Sequence, residues 1–235
     1  MLKALEQLLS LQSLDDQIDG GRERIATIEA TVKDRSEYAL AQRRHAEATQ
    51  TLRTVETEQK DLDLRLGTAR GQLADVEQRL YGNRVASPRE LGDLQKRGAD
   101  LRRQIDTAEG QLLAVMERLE QATKDAATAD GELRRIVAER RTLETGLLDE
   151  RKTLAATVRQ AQTDRDRLRA ETDPASLRQY DRLRGTRGGQ AVAEVRQRTC
   201  QGCRVSLTAA LEQRLRHGDS LVACQSCGRI LYIVV

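Results

Sequence analysis

Apolar residues recur along most of this chain at alternating steps of three and four. Counted that way from Leu91 to Leu154 there are 19 positions, and sixteen of them hold Leu, Ile, Val or Ala. The exceptions are Gly98, Arg140 and Glu150. A chain that is 38% hydrophobic would place about seven apolar residues there by chance. A repeat of this period predicts a long helix whose seam faces another helix, as in a coiled coil. An earlier stretch keeps the same rhythm from Leu52 through Val55, Leu62, Leu66, Ala69, Leu73 and Val76 to Leu80, with Gln59 its polar member. The run before it, through Ile18, Ile25, Ile28 and Val32, is out of phase. The pattern predicts a slip near Thr49–Leu52 that overwinds the supercoil locally.

The chain's two prolines divide this pattern. Ser87, Pro88 and Glu90 have the spacing of a capping box with proline at the first helical position. Asp173 and Pro174 repeat the cap-then-proline order. The expected organisation is a coiled-coil hairpin over residues 1–172, with arms at about 1–80 and 88–172 and a tip at 81–87. A linker helix and a small domain follow over 173–235. Because all four of the chain's cysteines fall in that last piece, as two C-x-x-C pairs at 200–203 and 224–227, the expected fold class is mainly α: a long antiparallel coiled-coil hairpin with a small C-terminal four-cysteine zinc-ribbon domain. A turn centred between Asn83 and Val85 would place residue i opposite residue 169−i. Ala39, Ala41, Ala46 and Ala48 would then face Ala122, Ala126, Ala127 and Ala129. A parallel dimer of one interrupted helix would use the same repeat, so the pattern leaves monomer and homodimer open.

Composition narrows the function classes. Charged residues make up 33% of the chain and aromatic residues 2%, with no Phe or Trp. A compact enzyme interior usually draws much of its buried area from aromatics. Disorder is disfavoured because 40 basic residues nearly balance 37 acidic ones, while Leu, Ala, Arg, Glu and Gln are strong helix formers. No stretch approaches the ~20 apolar residues of a membrane span. Glu6 already interrupts the region where a signal peptide would be apolar. A cytoplasmic protein with no membrane association is expected.

The specific chemistry lies at the C-terminal end. Cys200-Gln201-Gly202-Cys203 and Cys224-Gln225-Ser226-Cys227 are two C-x-x-C pairs separated by 20 residues. Two such turns supply four thiolates to one tetrahedral ion, the arrangement of a structural zinc site. Gly202 and Gly228 are expected to serve the tight turns. A redox C-x-x-C would need a βαβ context, which is absent from the pattern; an iron–sulfur cluster is the other metal such ligands suit. His217 and His45 are not needed as ligands. Residues 190–195 and 229–234 read as short strands and Leu207–His217 as a short helix. So small a unit is expected to take much of its folding energy from the metal.

From residue 174 onward ten arginines stand against Asp181, Glu194, Glu212 and Asp219, with no lysine. Arg196, Arg198, Arg204, Arg214, Arg216 and Arg229 are the candidate contacts to nucleic acid or to an acidic protein surface; a solubilising charge is the competing reading. Interleaved aromatics for base stacking are lacking apart from Tyr180 and Tyr232.

Taken together, the tip beginning Tyr81-Gly82-Asn83, the start Arg89-Glu90-Leu91-Gly92-Asp93-Leu94-Gln95, the segment Tyr180-Asp181-Arg182-Leu183 and the run Cys224-Gln225-Ser226-Cys227-Gly228-Arg229-Ile230-Leu231-Tyr232 resemble the bacterial C4-type zinc-ribbon coiled-coil family. The resemblance implies Cys200, Cys203, Cys224 and Cys227 as ligands of one structural Zn²⁺. It also implies a non-enzymatic adaptor or chaperone-like role, with a sigma-54 factor, a flagellar or type III secretion component, or RNA as partner. Tyr81, Asn83 and Arg84 at the tip are the positions where partner contacts are expected. The alternative is a transcription factor that inserts its hairpin into the secondary channel of RNA polymerase. Such proteins carry acidic tips, whereas residues 82–87 contain neither Asp nor Glu. An enzyme is the weakest reading, because the chain lacks a phosphate-binding glycine loop and a Ser/His/Asp set.

Overall fold

The computed structural model describes residues 2–82, 87–218 and 220–233. Helix α1 spans Leu2–Lys33, α2 Ser36–Tyr81, α3 Pro88–Glu171, α4 Pro174–Thr186 and α5 Ala209–His217. Between and after the last two lie β1 (Val192–Arg196), β2 (Thr199–Cys200), β3 (Val222–Ala223) and β4 (Ile230–Tyr232). The chain forms two compact units, residues 35–143 and residues 1–34 with 144–235.

In the first of these, α2 and α3 run antiparallel along the predicted seam. Ala41, Val55, Leu66 and Val76 are buried on α2, and Leu94, Leu101, Val115, Ala122 and Ile136 on α3. The α3 residues are spaced by sevens or multiples of seven, so the heptad is the repeat that packs. Ion pairs flank the seam at Arg44–Glu132, Glu58–Arg118, Arg70–Glu109 and Glu77–Arg102. They correct the expected register. Glu58 meets Arg118 rather than the level of residue 111, and Arg70 meets Glu109 rather than that of residue 99. The facing position is thus shifted by roughly a heptad or more from 169−i. Six residues between the helices allow their ends to be offset, and packing of Leu73, Val76 and Leu80 on Leu94 and Leu101 sets the level. Carried along the helices from the Arg44–Glu132 pair, that offset puts Ala41 near the level of Ile136 and Ala48 near that of Ala129. His45 occupies a seam position and approaches Asp130 at 3.8 Å.

The first arm is not one helix. It ends at Lys33 and restarts at Ser36, and the expected slip near Thr49–Leu52 is absent. Ala41, His45, Ala48, Leu52 and Val55 continue one three-and-four series through that region, all at least partly buried. The interruption at Asp34–Arg35 absorbs the change of phase instead, because a break resets helical phase without overwinding it. On α3, Leu143 is 54% exposed although the repeat places it inward; a helix drifts relative to a strict seven-residue repeat. The start of α3 is capped as expected, with the Glu90 amide donating to Ser87 Oγ at 3.2 Å. At α4 the Ser176 amide donates to Asp173 Oδ2 at 2.9 Å.

In the other unit, α1 packs on the last part of α3. Ile18, Val158 and Ala161 form one core, and Gly21 lies against Val158. Near the start of α1, Leu8 and Leu11 are fully buried with Tyr180 and Leu183 of α4, Ala191, Val192 of β1 and Ile230 of β4. The ribbon sheet has the order β2-β1-β4-β3, with β1 and β4 parallel and both outer pairings antiparallel. Its other face buries Val195, Leu207, Leu211, Val222 and Leu231 around the cysteines. The two-residue strands β2 and β3 and the shorter β4 differ from the expected pair of six-residue strands; Val234 lies outside the described residues. Thr208 caps α5 and Gly218, in the left-handed conformation, ends it.

Candidate metal centre

Each C-x-x-C pair forms the same turn. In the first, the Arg204 amide donates to the Cys200 carbonyl at 2.8 Å, and the Cys200 amide to the Val205 carbonyl at 3.0 Å. In the second, Gly228 donates to Cys224 at 2.9 Å and Cys224 to Arg229 at 2.8 Å. The turns bring all four sulfurs within 4.8 Å of one another. Cys200 and Cys227 Sγ are 3.9 Å apart, Cys203 and Cys224 Sγ 3.7 Å. A tetrahedron of sulfurs about 2.3 Å from a central zinc has edges of about 3.8 Å. The donor set fits one Zn²⁺, held by Cys200, Cys203, Cys224 and Cys227. With four thiolates filling the tetrahedron, the ion would close the ribbon and leave no position for a reacting water. His217 follows on α5 and is not in the cluster.

Without metal the thiols differ. Burial drives the Cys200 thiol up to about 12. Burial also opposes ionisation of Cys227, but the Arg229 backbone amide and further hydrogen bonds outweigh it and bring that thiol down to about 7.

The two turns solve one geometric problem differently. The residue after the second cysteine must take positive φ in both. It is Gly228 at φ 78° in one turn and Arg204 at φ 62° in the other. Gly202, expected to serve a tight turn through its backbone freedom, serves by its missing side chain. A Cβ there would stand 2.7 Å from Arg229 Cδ. Across Gly202 lies the Arg229 guanidinium, whose three nitrogens each donate to a carbonyl. Nε reaches Gln190 at 2.9 Å, Nη1 reaches Gly202 at 3.0 Å and Nη2 reaches Arg187 at 2.9 Å. Arg229 is therefore an internal brace of the ribbon, in place of the expected outward contact.

The other candidate arginines are dispersed. Arg196 pairs with Glu194 at 2.7 Å, while Arg198 and Arg216 share Glu212 at 3.0 and 2.9 Å. Gln197 and Arg198 form the two-residue β1–β2 turn, both with positive φ. Among the described residues, Arg204 and Arg214 have no carboxylate partner. Tyr81 is 80% exposed at the end of α2; Asn83 and Arg84 lie outside the described residues.

A buried polar cluster next to the ribbon was not singled out by the sequence. Asp15 on α1 is 1% exposed. Its Oδ2 accepts from the Tyr180 hydroxyl at 2.7 Å and pairs with Arg184 Nε at 3.0 Å, while Oδ1 pairs with Arg165. Burial and the bond to Asp15 push the Tyr180 hydroxyl far above the ordinary tyrosine value. One turn earlier, Gln12 Nε2 donates to the Gly189 carbonyl at 2.8 Å, and its Oε1 accepts from the Ala191 amide at 2.7 Å. The available signal was a polar residue at a seam position, Asp15 between Leu11 and Ile18, with its partners about 150 residues away.

A two-helix seam and a four-cysteine ribbon in one chain define a structural or binding protein built on a coiled coil. The model of the CT398-like coiled coil hairpin domain matches residues 11–188, and that of the C4-type zinc ribbon domain matches residues 199–231. The chain thus belongs to the CT398-like coiled-coil hairpin family, with a C4-type zinc ribbon. It is 25% identical over 238 residues to Rv2229c of Mycobacterium tuberculosis, covering 95% of this chain and 93% of that protein. The structure of CT398 from Chlamydia trachomatis is similar at TM-score 0.70 and 23% identity, over 100% of this chain and 99% of that one. A Mycobacterium smegmatis structure matches at TM-score 0.63 and 24% identity, over 96% and 97% of the two chains. HP0958 of Helicobacter pylori matches at 0.52 and 19%, over 98% and 97%. Below 25% identity these likenesses show the shared fold. Among the described residues, no helix is long and apolar enough to cross a membrane.

Proposed function

We propose that the protein is a non-enzymatic adaptor of the reducing cytosol, which binds an acidic surface of a partner protein through its ribbon. The observation that carries this reading is the closed metal centre. Four cysteine sulfurs at tetrahedral separations suit a structural ion with no open coordination position, so the chemistry on offer is recognition. Arg204 and Arg214 supply positive charge that no described carboxylate neutralises. Pairing of Arg196, Arg198 and Arg216 with glutamates on the ribbon itself gives an alternating surface. That mixture suits a protein partner better than a phosphate backbone, which rewards an unbroken basic track. A role in transcription or in secretion and flagellar regulation rests on the family resemblance alone. The polymerase-channel alternative has no acidic tip residue to support it.

The test uses full-length, zinc-loaded protein as bait in nuclease-treated cytosol, beside the Arg204→Glu/Arg214→Glu double variant. The expected result is a defined partner retained by the native chain, released by moderate salt and lost from the variant. Equal capture by both baits, or recovery only of nucleic acid before nuclease treatment, would overturn the reading.

A further inference from the structure

The brace at Arg229 and the buried bonds of Gln12 meet on one short segment. Arg229 lies two residues beyond the ligand Cys227, and its guanidinium spans from the first metal turn at Gly202 to the carbonyls of Arg187 and Gln190. Those residues bracket Gly189 and adjoin Ala191. Gly189 O and Ala191 N are the two groups that Gln12 of α1 engages. Gly188 and Gly189 both have positive φ, and beside the backbone bonds Gly189 N to Arg184 O, Gln190 N to Arg187 O and Ile230 N to Ala191 O the segment between α4 and β1 is held by these two side chains. Packing runs the same way: Leu8 and Leu11 of α1 share a core with Ala191, Val192 and Ile230, and Ile230 follows Arg229 directly.

We propose that Arg229, residues 187–191 and Gln12 form a relay that makes docking of α1 on the ribbon depend on metal loading. The metal turns position Gly202 and the Cys227–Arg229 backbone. With both in place, Arg229 can reach its three carbonyls at once; if the turns separate, the guanidinium keeps at most part of that set. The 187–191 segment then loses its shape, and with it the paired donor and acceptor that Gln12 requires. Gln12 Nε2 also donates to Asp16 Oδ1 at 2.8 Å and keeps that bond, but its Oε1 loses the amides of Ala191 and Val192, and a buried acceptor left without donors is costly, so the first part of α1 is released. Arg229 acts here as a positioning residue, through the segment it shapes. Because linkage is reciprocal, α1 docking also strengthens metal retention.

Hydrogen–deuterium exchange on the full chain tests the relay, comparing the zinc-loaded protein with the same protein after chelation. Chelation is expected to speed exchange at least tenfold over Leu5–Asp15 as well as in the ribbon. Unchanged protection of that stretch of α1 would overturn the proposal. The variant Arg229→Met keeps the apolar stem and removes the donors. Loaded with one zinc per chain, it should show fast exchange in α1, whereas native-like protection would count against the relay. Should that variant fail to hold zinc, Gln12→Leu reads the coupling from the other end and leaves every ribbon residue, Arg229 included, unchanged. Competition with a chromogenic chelator should show its zinc affinity reduced about tenfold. An affinity equal to that of the native chain refutes the relay.

Discussion

Single residues carry sharp consequences in the ribbon and beside it. Arg204 holds a left-handed conformation that Gly228 holds at the equivalent place in the other turn. A non-glycine residue there costs roughly 1 kcal/mol or more. Arg204→Gly should therefore raise the stability of the zinc-loaded chain by about 1 kcal/mol, measured by denaturant unfolding with zinc held constant. The opposite outcome is expected at Gly202. Alanine would place its Cβ against Arg229 Cδ, so Gly202→Ala should lower zinc affinity, measurable by chelator competition. Gly21→Ala meets Val158 Cγ2 at 2.5 Å, and a β-branched side chain cannot swing away freely. Destabilisation of about 1–3 kcal/mol is expected.

Asp15 is the most sensitive polar site. Replacing it with alanine leaves Arg165, Arg184 and the Tyr180 hydroxyl facing a buried void, and breaking a buried pair from one side costs about 3–5 kcal/mol. Thermal unfolding of Asp15→Ala should fall accordingly, with Asp19→Ala, whose carboxylate is 53% exposed, as the mild control.

Among the elements, α4 has a pH signature. Asp181 receives both Arg169 guanidinium nitrogens at 2.7 Å, and that pairing holds its carboxyl below the ordinary value. The amide and hydroxyl of Ser176 do the same for Asp173 at the helix start. A depressed folded-state value contributes stability that is full above the unfolded value and is lost as pH falls through the folded one. Stability from these two residues should accordingly fade below about pH 4. Asp173→Asn with Asp181→Asn should flatten that part of the acid-unfolding profile. The ribbon, by contrast, is governed by metal. Its core is small, and zinc binding must displace the Cys200 proton, so affinity should rise with pH through the neutral range. Chelation is expected to abolish the β1–β4 pairing, visible as loss of amide protection at Val192–Glu194.

Across the whole molecule, a one-dimensional pattern carries those contacts that repeat locally along the chain. The seam of α3 was legible because packing against a single helix repeats locally: Leu94, Leu101, Val115, Ala122 and Ile136 are buried at the positions the count from Leu91 assigned. Helix starts at Ser87–Pro88 and Asp173–Pro174 were legible for the same reason, since capping chemistry spans only a few residues. The register was not, because a midpoint drawn through the tip ignores the offset that a six-residue connection permits. The phase change was read as an overwinding slip near Thr49–Leu52 and is a helix break at Asp34–Arg35 instead, because two out-of-phase runs reveal that a reset exists somewhere between them without fixing its residue or its form.

The sequence by itself determined the coiled-coil class and the four cysteines that gather into a zinc-sized cluster. Both are read from spacing along the chain, where the interacting partners repeat or sit a few residues apart. Only the tertiary structure decided what the polar residues do. It turned Arg229 from a surface candidate into a brace across Gly202. It seated Asp15 and Gln12 of the first helix among residues 165–191, giving α1 a place in the core shared with the ribbon. The Asp15 and Gln12 bonds join groups about 150 or more positions apart and those of Arg229 groups 27 to 42 apart, and no local propensity, spacing or charge count encodes which distant carbonyl or hydroxyl a buried side chain will meet.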